Sequence, residues 1–276
     1  MTTDAEVADW WATGITRMAP GVLELRGAPI QDLIGSTGLV ATIWLMTRGG
    51  PPAPGEAELL EAAMVASVDH GPQAPSIAIA RMTATCGVGI NNAMASGVNA
   101  LGDAHGGAGQ QCVELLTEIV SRQDAGQSLD AATAQAISEH RYVPGFGHRF
   151  HPVDPRRAPL LALVDRAVED GVVAGRHVRA ARAVEARLNH GRGRPVPMNI
   201  DGATAVIYAE LGFPPPLARG LFVLSRSVGI LAHAWEETTQ GRRNKGPIPR
   251  SILPTYRGGA TDATGDLARA EPQPPR

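Results

Sequence analysis

The spacing of apolar and polar positions along the chain predicts a succession of helices. Over residues 56–68 acids alternate with Leu59, Leu60, Ala63, Met64 and Val68 at the three-to-four-residue spacing of one helical face. The same period predicts helices over residues 29–46, 110–122, 129–141, 158–169, 173–188 and 217–235. Residues 76–104 are nearly free of charge and rich in Ala, Gly, Thr and Ile, which predicts two buried helices whose small side chains let their axes approach. Breakers such as Gly49-Gly50-Pro51-Pro52 and Gly71-Pro72 mark the ends. Strand patterns are sparse, and the expected class is all-α.

One stretch departs from this rhythm. Residues 143–157 hold Pro144, Gly145, Gly147 and Pro152, a density that bends the backbone into a tight loop. Set into it are His148, His151, Arg149, Arg156 and Arg157. Glycines let main-chain amides approach a ligand, and guanidinium forks suit carboxylate or phosphate oxygens, so the expected ligand is an anion. Four distant segments each place a polar residue beside or near glycine: His70, His105, His148 and Asp201. Taken singly, each also fits a structural role, the imidazoles as hydrogen-bonded core residues and Asp201 as a helix N-cap.

Composition narrows the field. The 276 residues can bury a sizeable core as one large domain or two interleaved ones, and a formal net charge of -2 gives no nucleic-acid or anionic-membrane footprint. Residues 1–6 are acidic and lead into no apolar run suited to a signal peptide, and Cys86 and Cys112 form no disulfide framework. The expectation is a cytoplasmic protein with both thiols packed as small core residues. The histidines lack metal-ligand spacing, so no metal is expected.

Pro144-Gly145-Phe146-Gly147-His148-Arg149, followed by Asp154-Pro155-Arg156, resembles the active-site loop of the citrate synthase superfamily, which includes citryl-CoA lyases and the lyase module of ATP-citrate lyase. Asp69-His70-Gly71-Pro72, Gly102-Asp103-Ala104-His105-Gly106-Gly107, Asn199-Ile200-Asp201-Gly202 and Leu224-Ser225-Arg226-Ser227-Val228-Gly229 agree with it in order, and the likeness runs over residues 22–256. It implies a large helical domain of residues 1–105 and 210–256 and a smaller inserted domain of residues 106–209; residues 257–276 hold almost nothing to bury, which predicts a disordered tail. It implies a catalytic set of His105, His148 and Asp201. His70, Arg156 and Arg226 would hold the oxaloacetate or citrate part, joined by Arg250 donated to a neighbouring subunit of a homodimer or higher homo-oligomer. Val143, Pro144, Gly145, Phe146 and Gly147 would cradle the adenine of coenzyme A. On charge and loop position Arg149, His151, Arg192 and Arg194 are candidates for its phosphates. No cofactor is implied beyond a coenzyme A thioester as substrate.

Two features bear on the reaction. Citrate synthases usually carry an aromatic residue where this chain has Gly202, and the motifs around Asp69, Asp103 and Arg226 are closer to the ATP-citrate lyase module. That module has an aromatic residue in place of His105, as synthases do not. The leading expectation is citryl-CoA lyase, supplied by a partner citrate-CoA ligase; the alternative is a compact citrate or 2-methylcitrate synthase.

Overall fold

The computed structural model describes residues 2–147, 153–246, 248–249 and 251–255. His148, Arg149, His151, Arg250 and the expected tail of residues 257–276 lie outside the described residues. Among the described residues there are twelve helices and one small sheet.

The chain opens with α1 (Asp4–Trp10), closed at its start by reciprocal bonds between Thr3 and Glu6. An antiparallel sheet of β1 (Thr16–Ala19), β2 (Val22–Leu25) and β3 (Ala28–Pro29) follows, in that order. This small sheet, in strands of two to four residues, is an addition to the all-α expectation. Arg26 turns the chain between β2 and β3 at φ 51°, and its guanidinium bonds the Met46 carbonyl at 3.1 and 2.8 Å, anchoring the sheet to a helix end. The helix expected over residues 29–46 is instead two, α2 (Ile30–Leu33) and α3 (Leu39–Arg48), because Gly35 takes φ 82° between them.

Next come α4 (Glu56–Ser67), α5 (Pro75–Ala84) and α6 (Ile90–Asn99). Small side chains do bring α5 and α6 together: a Cβ on Gly97 would lie 2.8 Å from the Ser76 carbonyl oxygen. Burial holds for Ser76, Ile77 and Ala80 of α5, but α6 shows Ile90, Asn91, Asn92 and Ala95 to solvent, so only one of the two predicted buried helices is enclosed. Then follow α7 (Ala108–Asp124), α8 (Leu129–Ser138), α9 (Arg157–Glu169), α10 (Arg176–Asn189), α11 (Ile200–Glu210) and α12 (Pro215–Thr239).

Among the described residues two apolar clusters form. The larger joins α3, α4 and α7–α11 to the start of α12 through residues such as Trp44, Leu60, Leu116, Val164, Ile207 and Leu221. The smaller joins α5 and α6 to the second half of α12 through Ile77, Ala80, Ala93, Ile230 and Ala234. Helix α11 is enclosed from Gly202 to Ala209, and α12 spans both clusters. At 25 residues α12 is long and apolar enough by composition to cross a bilayer. Here it is instead a central packing helix, with Arg226 and Glu237 buried against the protein.

Candidate active site

Both arms of the site begin where helices end. The C-terminal turn of α4 presents the carbonyls of Ala66 and Ser67, orphans that a helix leaves unpaired. Arg156 donates to the Ala66 carbonyl at 3.2 Å and Arg226 to the Ser67 carbonyl at 3.2 Å, so two guanidiniums 70 positions apart converge on one turn. Arg156 is also gripped by buried Asp154, its Nε and Nη2 donating at 3.0 and 2.9 Å. Arg226 is buried over the Phe222 ring. Burial pulls the Arg226 guanidinium below its ordinary value, Asp201 and Asp69 push it back, and Arg156 adds to the pull. Thus Asp69, Arg156 and Asp201, drawn from three other segments, each bear on the charge of Arg226. His70 lies half-buried just beyond this turn.

His105 stands in the loop between α6 and α7. Gly106 takes φ 97° there, and a Cβ on Gly107 would fall 2.5 Å from the Asp103 carbonyl oxygen, so the loop closes this tightly only with glycine. Its Nε2 accepts the Ser76 backbone N–H at 3.1 Å, with the Ser76 hydroxyl at 3.0 Å. That N–H is one of the unpaired donors at the start of α5. With Nε2 accepting, the ring proton of the neutral imidazole sits on Nδ1, the nitrogen free to donate to a ligand oxygen. Burial, and then the Arg226 charge, lower the His105 pKa below the ordinary imidazole value and favour this neutral form.

Asp201 occupies the first turn of α11 but is not its cap. Asn199 takes that role, accepting the N–H groups of Asp201 and Gly202 at 2.9 and 3.2 Å. Asp201 therefore does not serve as the cap of its own helix. Val143, Pro144, Gly145, Phe146 and Gly147 run directly past this turn. The Asn199 N–H donates to the Gly145 carbonyl at 3.0 Å, the Asn199 side chain to the Gly147 carbonyl at 2.7 Å, and Phe146 bridges to Met198. A Cβ on Gly145, at φ 83°, would lie 2.8 Å from the Gly202 Cα and 2.7 Å from the Cys112 sulfur. Cys112 is accordingly enclosed, and burial together with the Asp201 charge pushes its thiol up, so it stays protonated beneath the loop. Cys86, by contrast, is exposed, against the expectation that both thiols pack in the core.

Arg192 and Arg194 are exposed on the segment leading to Pro197, whose carbonyl accepts the Gly147 N–H at 2.7 Å, so they stand upstream of the same loop. Arg157 turns away to pair with Glu185. Among the described residues no group of three His, Cys, Asp or Glu side chains is disposed to hold a metal. The sequence reading missed Ser76. Its signal was a Ser directly after the helix-opening Pro75 in a charge-free stretch, but the partner His105 is 29 positions away.

A family model for the citrate synthase C-terminal domain matches residues 25–251. The chain belongs to the citrate synthase family. Within it, the structure is similar to citryl-CoA lyase from Hydrogenobacter thermophilus, at a TM-score of 0.80 and 32% identity over 90% of this chain and 95% of that one. ATP citrate lyase from Methanothrix soehngenii, solved with citrate and coenzyme A, shares the citrate synthase fold at a TM-score of 0.77 and 18% identity, over 97% of this chain and 46% of that one. The citrate synthase of Haloferax volcanii is 27% identical over 246 residues, 87% of this chain and 63% of that protein. The chain spans less than two thirds of the curated citrate synthases it matches.

Proposed function

We propose that the protein is a citryl-CoA lyase, cleaving citryl-CoA to acetyl-CoA and oxaloacetate. The observation that carries this is the match over nearly the full length of both chains to a citryl-CoA lyase, where citrate synthases exceed this chain substantially in length. Bond breaking beside a thioester carbonyl leaves an enolate, which needs a donor at oxygen and a proton source at carbon. The Nδ1–H of His105 suits the first role and the Asp201 carboxyl the second. His148 would accept the tertiary hydroxyl proton of the substrate.

The carboxylates of the oxaloacetate part would meet Arg226 and Arg156, with His70 beside them and Arg250 arriving from a second subunit. Adenine would lie along residues 143–147 and the phosphates near Arg149, His151, Arg192 and Arg194. Closure of residues 106–209 onto the remainder would exclude water from the enolate. A ligase that makes citryl-CoA would supply the substrate.

The second copy would sit on the outer face of α12. Leu224, Val228, Leu231 and Trp235 are exposed there at helical spacing, beside the uncharged outer face of α6. Release of oxaloacetate from citryl-CoA, coupled to NADH oxidation by malate dehydrogenase, tests the reading. No release would end it.

Condensation of an acyl-CoA with oxaloacetate is the second reading, favoured by His105 and by the citrate synthase relatives. It predicts free coenzyme A from acetyl-CoA or propionyl-CoA plus oxaloacetate. Side-by-side progress curves with the two substrate sets separate the readings.

A further inference from the structure

We infer that His233 is a positioning residue for the substrate site, acting through Asp69 on the turn that carries His70. Three residues of α12, Arg226, Gly229 and His233, stand at i, i+3 and i+7 on one face, and each meets a successive part of the α4 end. Arg226 donates to the Ser67 carbonyl. Gly229 leaves room for the Val68 carbonyl, which a Cβ would overlap, and for Asp69 Oδ1 at 3.1 Å from that Cβ position. His233 Nε2 reaches Asp69, at 3.3 Å from Oδ1 and 3.4 Å from Oδ2. Asp69 in turn accepts the Gly71 N–H at 3.1 Å and bonds the His70 backbone, so its carboxylate shapes the bend on which His70 is held.

The opposite side of the imidazole is fixed as well. Arg81 of α5 places Nη1 2.9 Å from His233 Nδ1. A guanidinium can only donate, so Nδ1 accepts and the proton of the neutral ring sits on Nε2, aimed at Asp69. Arg81 is itself held by Glu236 at 2.6 Å and by fully buried Glu237 at 2.5 Å. Glu237 also binds Lys245 at 2.9 Å. The imidazole therefore links an immobilised guanidinium to the carboxylate under His70.

This inference rests on the proposed role of His70 at the oxaloacetate part of the substrate. Two measurements keep its failure distinct from failure of that role. Ring nitrogen resonances of histidine-labelled full-length protein should show His233 protonated at Nε2 and bare at Nδ1. In His233→Leu the His70 ring resonances should move, and in His233→Gln, whose amide can accept from Arg81 and donate to Asp69, they should return. Kinetically, His233→Leu should raise KM for the oxaloacetate-bearing substrate about tenfold with kcat nearly unchanged, and His233→Gln should restore it.

If His233→Leu does not fold, Asp69→Asn reads the same link. It should move the His70 resonances and raise KM. A proton on Nδ1 of His233, unmoved His70 resonances in the Leu or Asn variant, or equal KM in wild type and variant would overturn the inference. If wild-type protein turns over neither substrate set, the proposed function fails while the nitrogen spectra still decide the bridge.

Discussion

At His105 two forces act in the same direction. Burial and the Arg226 charge both disfavour the imidazolium, and Ser76 offers Nε2 an N–H that a protonated ring could not accept. The neutral form should therefore persist below the ordinary imidazole value of 6.5. A pH profile of kcat/KM should keep its plateau below that value as far as His105 governs it. The stability sign follows: with a lowered folded pKa, the contribution of His105 is full above 6.5 and is lost as pH falls through the folded value, readable in urea midpoints.

Asp201 gives a cleaner separation of chemistry from folding. Because Asn199 caps α11, Asp201→Asn should leave the helix cap and the helical circular dichroism in place while lowering turnover about 10²–10⁴-fold. Retained coenzyme A thioester binding by calorimetry would complete that pattern. These residues were legible because each lies beside or near glycine in its own motif. Ser76 and His233 were not, since their partners lie 29 and 164 positions away and nothing local marks them.

Among the elements, α12 organises the site by the residues it lacks as much as by those it carries. A Cβ on Gly229 would run into the Val68 carbonyl, and that contact is backbone, so it yields only if the α4 turn shifts. Gly229→Ala should cost about 1–3 kcal/mol in chemical denaturation. It should also weaken substrate binding more than thioester binding, because the displaced turn carries Asp69 and His70 rather than residues 143–147. The periodicity showed α4 and α7–α10 to within a few residues, since each has one apolar face toward a shared core. It missed β1 and β3, whose strands are too short to repeat a pattern, and it ran through Gly35, where a positive φ splits α2 from α3.

For the whole molecule the open question is what covers α12 on its outer side. Its inner face is spent on Arg226, Gly229 and His233, while Leu224, Val228, Leu231 and Trp235 are between 43% and 64% exposed. A run of four large apolar side chains at this spacing, beside an α6 face without charge, is more than scattered surface apolarity and fits a self-complementary contact about a two-fold axis. Replacing Val228 and Leu231 together with Glu places like charges opposite one another across such an axis. The double variant should run at half the wild-type mass in light scattering while keeping its helical circular dichroism, because neither side chain contributes to the buried clusters. If a neighbour's Arg250 completes the site, activity should fall with mass and recover at high protein concentration. A wild-type protein that is already a fully active monomer would remove both the interface and the donated arginine.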